Sequence, residues 1–245
     1  MAVLVTRPEP DNGATAATLR ARGFEVLLAP MLRFEALAFQ DDADAHYDAV
    51  IVTSANALRG FERHPSGQRL LELPLFAVGE HTADAARHAG FGHVIAAHGD
   101  VVALRDAVLA GVKAKQVKKA GTLLYLAGAD LARDLAGDLG ERGFTVVTHT
   151  TYRMIPVAEL PPAAREGFAA NQVAAVLHYS RRSARAFLQA ARTAGVEISA
   201  LAIPQCCISE AVASVVRDAG ATQVLTASRP DENALLETLM RALRP

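Results

Sequence analysis

The sequence predicts an α/β protein made of two similar domains, each built on a doubly wound parallel sheet. The first observation is an internal repeat, in which two blocks of the chain each return about half a chain later in the same order. The second is the alternation of short apolar runs with amphipathic helical segments along all 245 residues. Strands and helices that alternate in this way build parallel sheets with right-handed crossovers. A repeat this long indicates duplicated domains rather than a solenoid, whose repeats are much shorter.

The repeat has the order A-B-A′-B′. The matching segments are residues 2–33 with 122–153, 49–54 with 175–180, and 78–90 with 208–220. The residues alone leave two arrangements open: A with B against A′ with B′, or A with B′ against B with A′. In either case, two like domains imply one cleft between them, and ligands are expected in such clefts.

Most of the predicted strands are continuous runs of Val, Ile, Leu and Ala, which is typical of strands buried on both faces of a sheet. They cover residues 3–6, 25–29, 49–53, 75–78, 93–96, 122–127, 145–150, 174–179, 202–208 and 223–226. The predicted helices have apolar residues at three-and-four spacing, and several stop at glycine. They cover residues 13–22, 55–63, 80–89, 101–110, 131–142, 182–194, 210–219 and 232–241.

Composition excludes several functional classes. Hydrophobic residues make up 51% of the chain and the net charge is -1, so the basic footprint of a nucleic-acid binder is missing. No apolar run is long enough to cross a bilayer, and the first residues lack the layout of a signal peptide, so we expect a cytoplasmic protein. Cys206 and Cys207 are adjacent and are predicted to be buried thiols, because neighbouring strand residues point to opposite faces. No Cys/His cluster has metal-ligand spacing, and no metal is expected.

Familiar catalytic motifs are also absent from the sequence. The first strand is followed by Arg7-Pro8-Glu9-Pro10, which cannot form the glycine-rich dinucleotide turn, and no Walker loop or nucleophile elbow occurs elsewhere. These absences give no sign of a nucleotide cofactor. His178 lies within an apolar strand and is predicted to be a hydrogen-bonded core residue.

Candidate binding residues lie where predicted strands end and helices begin, since ligands of parallel sheets bind outside the carboxyl ends of the strands. Helix N-termini there present unpaired N–H groups that receive anions. The predicted substrate-binding residues are Arg7, Thr53, Ser54, Ala55, Asn56, Gly79, Thr82, Ser180, Arg181, Arg182, Ser183 and Ser209. For the hydroxyl and amide side chains the alternative is that each simply caps its own helix.

Tyr152 is the predicted catalytic residue. It follows the second strand of A′, and its counterpart in A is Leu32, so the repeat does not require an aromatic side chain there. A neutral phenol can donate a hydrogen bond or a proton. The alternative is an aromatic side chain that packs at a hinge.

Several short motifs, taken in their order and spacing, resemble the uroporphyrinogen-III synthase family over nearly the whole chain. They are VLVTRP ending at Pro8, Pro30, IVTSAN ending at Asn56, AVGEHTA ending at Ala83, GFTV beginning at Gly143, TYR ending at Arg153, and CISEAVA ending at Ala213. The resemblance implies two flavodoxin- or Rossmann-like domains joined by a two-stranded crossover. It places residues 1–34 and 156–245 in one domain and 37–152 in the other, with crossovers near 30–37 and 150–157.

The resemblance also implies a reaction. The family's substrate is hydroxymethylbilane, a linear tetrapyrrole with eight carboxylates, which agrees with anion-receiving groups at the strand ends. The family removes the hydroxyl of ring A and closes the macrocycle with ring D inverted, through a spiro intermediate and without a cofactor. Tyr152 matches the tyrosine proposed to assist departure of that hydroxyl, and Thr82 matches a hydroxyl position. The resemblance further suggests a monomer.

The second half departs from the family pattern, because Ser209 replaces a glycine and Val212 replaces a hydroxyl residue. Two rival functions remain at this stage. One is a two-lobed binding protein for a small anionic ligand, which the absence of an export signal and the position of Tyr152 disfavour. The other is a nucleotide-dependent α/β enzyme, which the missing glycine fingerprint disfavours.

Overall fold

A computed structural model describes residues 1–38, 44–59, 61, 67–131 and 133–244. By its internal contacts the chain divides into two compact units. Unit 1 comprises Met1–Arg33 and Ile155–Pro245, and unit 2 comprises Phe34–Met154. Each unit therefore joins one block of the repeat to the opposite copy of the other, because unit 1 contains A and B′ and unit 2 contains B and A′.

In unit 1 the described residues form a five-stranded parallel sheet in the order β11-β10-β9-β1-β2. Its strands are β1 (Ala2–Val5), β2 (Glu25–Leu28), β9 (Val173–His178), β10 (Gln205–Cys207) and β11 (Val224–Thr226). The helices are α1 (Asp11–Ala21), α6 (Pro162–Ala169), α7 (Arg181–Thr193), α8 (Glu197–Leu201), α9 (Glu210–Asp218) and α10 (Glu232–Ala242). Helices α1 and α10 cover one face, and α6, α7 and α9 cover the other.

In unit 2 the part of the chain that the structure describes forms a six-stranded sheet in the order β3-β8-β7-β4-β5-β6. Its strands are β3 (Leu32–Ala36), β4 (Ala49–Val52), β5 (Pro74–Val78), β6 (His93–Ala97), β7 (Thr122–Gly128) and β8 (Thr145–Pro156). The helices are a 3-10 turn (Ala55–Ala57), α2 (Gly67–Leu71), α3 (Gly79–His88), α4 (Val101–Lys113) and α5 (Leu135–Gly140). The pairs from β8 to β6 are parallel.

Two faces of the unit 2 sheet matter for the site. The front face contains Val50, Val52, Leu124 and Leu126, and α3 and the 3-10 turn cover it. The back face contains Ile51, Phe76, Leu123 and Tyr125, and α4 and α5 cover it. Because both faces are covered, the strands are apolar on both sides, and this is why they appear in the sequence as continuous apolar runs.

The two sheets have the same spatial order once the repeat is taken into account. Strands β1 and β2 of block A correspond to β7 and β8 of A′, and β9, β10 and β11 correspond to β4, β5 and β6. Unit 1 therefore reads 11-10-9-1-2 where unit 2 reads 6-5-4-7-8. The predicted fold class, two similar doubly wound parallel sheets with a two-stranded crossover, is confirmed.

The crossover consists of β3 and β8, both of which run through the division between the units. Leu37 N–H donates to the Thr151 carbonyl near one end of this pair, and Val157 N–H donates to the Met31 carbonyl near the other. Residue numbers therefore increase along β3 in the direction in which they decrease along β8, so the two strands are antiparallel.

Several predicted elements need correction. Strand β3 and helices α2, α6 and α8 are absent from the sequence prediction, and β8 continues to Pro156 rather than ending at 150. The predicted strand at 202–208 is confined to Gln205–Cys207, because Pro204 has no N–H to donate to a neighbouring strand. The predicted helix at 131–142 begins only at Leu135, since Asp134 caps it through the Gly137 N–H.

The predicted helix at 55–63 is wrong for its first residues, which form a 3-10 turn over Ala55–Ala57. The Ala57 carbonyl accepts a hydrogen bond from the Thr151 side chain rather than from an N–H group one helical turn later. Positions 60, 62 and 63 of that prediction lie outside the described residues.

Candidate active site

Each sheet has one point where successive connections leave in opposite directions, and this topological switch point is where doubly wound sheets bind ligands. In unit 1 it lies between β1 and β9, and in unit 2 between β4 and β7. Arg7 follows β1 and Ser180 follows β9, while Thr53 follows β4 and Gly128 ends β7. Predicted candidates thus lie on both sides of the unit 1 switch point, and Thr53 lies on one side of the unit 2 switch point.

The loop after β4 in unit 2 is a capped turn. Ser54 is the N-cap of the 3-10 turn, and its Oγ accepts a hydrogen bond of 3.2 Å from the Asn56 N–H. Asn56 Oδ1 accepts from Arg59 at 3.3 Å. Capping, the alternative for Ser54, is therefore present, yet a capping hydroxyl still has its own proton to donate. Ala55 begins the turn and offers its backbone there.

Thr53 is tied to a buried phenol. Its Oγ1 lies 3.0 Å from the hydroxyl oxygen of Tyr125, whose side chain is buried in the back face. Burial raises the pKa of Tyr125, the hydrogen bond with Thr53 opposes that rise, and the nearby Tyr152 phenol adds to it. The pair keeps a neutral hydroxyl network beneath the switch point.

Tyr152 lies on β8 beside this switch point. Its half-buried ring stacks on Phe34, with ring centroids 5.7 Å apart and planes 16° from parallel. The guanidinium of Arg59 in turn lies 3.9 Å from the Phe34 ring centroid. A Cβ added to Gly128 would lie 2.7 Å from Cζ of Tyr152, so the phenol occupies the space above this glycine.

Gly79 and Thr82 lie in the first turn of α3, the helix that follows β5. Gly79 has φ +71°, a left-handed conformation that favours glycine. Thr82 is buried and belongs to the helix face that packs on the sheet. Because α3 packs against the 3-10 turn, Thr82 and the Ser54–Asn56 loop share the same edge of unit 2.

In unit 1, Ser180 and Ser183 form the start of α7. Ser180 Oγ accepts from the Ser183 N–H at 3.0 Å, and the buried Ser183 hydroxyl donates to the Ser180 carbonyl at 3.0 Å. Capping therefore accounts for both serines. Arg181 and Arg182 occupy the first turn of this helix, and Arg181 is exposed.

Arg7 reaches the unit 1 switch point but is already paired. Its guanidinium lies 3.2 Å from Asp11 and 3.0 Å from Glu232, and it stacks 4.9 Å from the Tyr179 ring centroid. Glu232 also accepts from the buried Thr15 hydroxyl. Burial raises the pKa of Tyr179 well above its ordinary value. This arrangement ties Arg7 to the protein's own carboxylates.

Ser209 shows how the departure from the family pattern is accommodated. Gly79, its counterpart, begins α3 with a positive φ, whereas Ser209 is extended at φ −155° and α9 begins one residue later, at Glu210. The Ser209 side chain makes no capping hydrogen bond. Val212, at the position equivalent to Thr82, packs in the core with Val216.

The remaining sequence predictions concern buried groups. Cys206 and Cys207 are free, buried and packed into clusters on opposite faces, as predicted. His178 is fully buried and its Nε2 lies 2.9 Å from Gln205 Oε1, but its Nδ1 has no hydrogen-bond partner. Gln205 uses its own N–H groups on the Ala200 and Ile203 carbonyls, so His178 must be the donor.

Sequence reasoning missed Gly128, Thr151, Tyr125 and Phe34 as parts of the site. Gly128 directly follows the predicted strand at 122–127, so its place at a strand end could have identified it, whereas Phe34 lies in a strand that the sequence does not predict. Among residues 1–38, 44–59, 61, 67–131 and 133–244, no group of three or more His, Cys, Asp or Glu side chains could hold a metal ion. In the same residues no helix has the length and apolar character needed to cross a membrane.

Two doubly wound sheets in one chain, each with hydroxyl and aromatic side chains at its switch point, define a two-domain α/β protein of the ligand-binding kind. A family model described as Uroporphyrinogen-III synthase HemD matches residues 13–237. The chain therefore belongs to the uroporphyrinogen-III synthase family. It is an enzyme of the cofactor-independent cyclising lyase class.

Solved structures agree with this assignment at the level of the fold. The uroporphyrinogen-III synthetase of Helicobacter pylori is 18% identical, with a TM-score of 0.66 and coverage of 99% of each chain. A mutant uroporphyrinogen III synthase of the extremely thermophilic bacterium Thermus thermophilus is also 18% identical, with a TM-score of 0.57 and coverage of 99% of each chain. Comparison with curated protein sequences gave no significant match.

Proposed function

We propose that this chain cyclises hydroxymethylbilane to uroporphyrinogen III mainly by orienting the substrate, with the Tyr152 phenol assisting departure of the ring A hydroxyl. Family membership supplies the reaction and the tetrapyrrole substrate. The observation that carries the residue assignment is the placement of the Tyr152 phenol beside the β4/β7 switch point, next to the hydroxyl-bearing turn at Ser54–Asn56.

Orientation is the main task because the linear tetrapyrrole can lose its hydroxyl and close unaided, to the uninverted isomer. The enzyme must hold ring D so that its substituted carbon reacts, and fixing a geometry by binding energy can supply a large part of a rate enhancement. Distributed anchors serve that purpose better than one strong acid or base.

We assign the anchors to the ends of the strands in each unit. Helices α3 and α7 begin at Gly79 and at Arg181, and the first N–H groups of a helix have no partner within the helix, so such termini bind carboxylates. Arg181 and Arg182 carry positive charge at the positive end of the α7 dipole, an arrangement that costs stability. Bound carboxylates of the substrate would offset this cost, which favours a binding role for these arginines. Ser209 contributes a hydroxyl that is not used as a cap.

The domain boundaries, location and assembly state belong to this proposal as well. We assign residues 1–34 with 156–245 to one domain and 37–152 to the other, with crossovers near 30–37 and 150–157, and the two compact units support this assignment. We propose a cytoplasmic monomer that binds no nucleic acid and no membrane, a view supported by the near-neutral net charge of -1.

The test is to supply hydroxymethylbilane and to separate the uroporphyrinogen isomers by chromatography. We expect isomer III to form faster than the uncatalysed closure to isomer I. Formation of isomer I alone, at the rate seen without protein, would contradict the proposal.

A further inference from the structure

We propose that Thr151 and Gly128 are positioning residues for Tyr152: a β-bulge at Thr151 turns the phenol to the front face of unit 2, and Gly128 leaves the space that receives it. This inference rests on the proposed role of Tyr152. It concerns two residues to which the family resemblance gives no role: Thr151, which precedes Tyr152 on β8, and Gly128, which is paired with Tyr152 across the sheet.

The bulge is visible in the register of β7 and β8. Ala127 is paired with Thr150, but the next residue, Gly128, is paired with Tyr152, so Thr151 has no opposite residue. The Tyr152 carbonyl then accepts a hydrogen bond of 2.9 Å from the Ala129 N–H, which continues the pairing beyond the bulge. Bulges are rare in parallel pairs, and near active sites they redirect a side chain.

The redirected side chain is Tyr152. Along β8, Val146 packs against the back face and Val147 against the front face. Strict alternation would place residue 152 on the back face with Val146, because side chains change face at every residue. Tyr152 instead packs with Val147 on the front face. The single extra residue therefore decides which face the phenol occupies.

The Thr151 side chain holds the bulge in place. It is 1% exposed, and its Oγ1 lies 3.3 Å from the carbonyl oxygens of both Ala57 and Ala127. Ala127 is the last regular residue of β7 before the bulge, and Ala57 ends the 3-10 turn that carries Ser54 and Asn56. One hydroxyl thus fixes the backbone beside Tyr152 to the candidate binding turn.

Gly128 provides the seat for the phenol. A Cβ at this position would lie 2.7 Å from Cζ and 2.8 Å from the hydroxyl oxygen of Tyr152, closer than real Cβ contacts. Its φ lies outside the left-handed region, so an alanine would meet the ring and not a strained backbone. Any side chain here must displace the phenol, and this explains a glycine at a strand end that has no conformational need for one.

The experiment compares steady-state formation of uroporphyrinogen III by four variants. Thr151→Val removes the hydroxyl at nearly constant shape, and we expect kcat to fall roughly tenfold with KM within about twofold, since a misplaced acid loses part of its contribution. Thr151→Ser retains the donor and should restore kcat. Gly128→Ala should lower kcat in the same way. Gly140→Ala is the matched control in unit 2, because its added Cβ meets nothing within 4 Å.

A double-mutant cycle with Tyr152→Phe decides whether the effect passes through the phenol. If it does, Thr151→Val and Gly128→Ala lose little further kcat once the phenol is gone. Equal losses in both backgrounds, or full activity of Gly128→Ala, would overturn the inference while leaving the activity of the chain in place. If Thr151→Val fails to fold, as judged by circular dichroism, Gly128→Ala alone decides. If Tyr152→Phe itself has the wild-type kcat, the role of Tyr152 and this inference both fall.

Discussion

We expect unit 1 to lose stability as the pH falls below neutral, because it contains a buried histidine. His178 is fully buried in β9, and burial lowers its pKa from 6.5 to about 4, opposed only partly by the hydrogen bond with Gln205. The imidazole and the Phe187 ring meet in an edge-to-face arrangement, with ring centroids 5.3 Å apart. The folded chain therefore keeps this imidazole neutral at pH values where the unfolded chain protonates it.

The sign and size of the effect follow from proton linkage. Because the folded pKa lies below the unfolded one, the unfolded state binds more protons between them, and stability rises with pH across this window. The contribution is complete above about 6.5 and is lost progressively toward about 4. Going from about pH 7.5 to about pH 5 should lower the unfolding free energy by about 2 kcal/mol through His178 alone.

Urea unfolding followed by circular dichroism at the two pH values would measure this change, and the chain has no tryptophan that would offer a simpler signal. His178→Gln keeps an N–H donor for Gln205 but cannot titrate, so its stability should fall by about 2 kcal/mol less than that of the wild type. His93→Gln, the same chemical change at an exposed position on β6, should still show the decline that His178 causes. Parallel pH dependence in the wild type and His178→Gln would refute the reasoning.

Three further outcomes are expected. Tyr152→Phe should lower kcat for isomer III by roughly 100-fold, which is within the range of general acid catalysis. Its melting temperature should stay near that of the wild type, because the ring stack on Phe34 is kept. An unchanged kcat would remove the phenol from the mechanism. Burial raises the pKa of both Cys206 and Cys207 to about 12, so at neutral pH a thiol reagent should modify them only as the chain unfolds, and rapid labelling of the folded protein would contradict their burial. Arg7→Met should lower the unfolding free energy by about 1 kcal/mol, because the ion pairs that Arg7 makes are partly exposed. A rise in KM with unchanged stability would instead show that Arg7 binds the substrate.

The sheets could be predicted from the sequence because their strands are buried on both faces. A run such as Ala49–Val52 contains no polar residue, so its short length and the turn residues that flank it identify it as a strand. The residues Glu80 and Arg87, which recur in the repeat as Glu210 and Arg217, form a salt bridge in each copy. Both pairs join two helical residues seven positions apart, which is two turns of a helix.

Elements that depend on tertiary packing could not be predicted in the same way. Helix α6 contains Gly167 near its end, which in a sequence indicates a break. In the structure this glycine lets the helix approach β2, since a Cβ there would lie 3.0 Å from the Leu27 side chain. Strand β3 has charged residues at alternate positions and is recognisable only beside β8.

The same limit applies to the site. The strand-end rule finds Ser54 and Ser180 from the sequence, because it depends only on where strands stop. Whether such a hydroxyl is used as a cap cannot be read even from the backbone, because Ser180 and Ser209 share φ −155° and have ψ values of 155° and 163°, yet only the Ser180 side chain caps its helix. The bulge at Thr151 depends on pairing with β7, whose residue Ala127 lies 24 positions earlier in the chain. No short-range pattern in the sequence encodes such a pairing.

The interior position of β1 in its sheet, between β9 and β2, has a consequence for biosynthesis. This strand leaves the ribosome before the other strands of its sheet, but one of its two neighbours, β9, is made far later, as the hydrogen bond from Thr6 to the Leu177 carbonyl across 171 residues shows. Residues 34–154 form an uninterrupted stretch that is complete before β9 emerges. Until β9 is made, the nascent β1-α1-β2 segment exposes the apolar edge of β1 that will pair with it. Long-range parallel pairing of this kind is intrinsically slow. Recruitment of this early segment onto β9 is expected to limit the folding rate and to be the stage at which newly made chains most need chaperones.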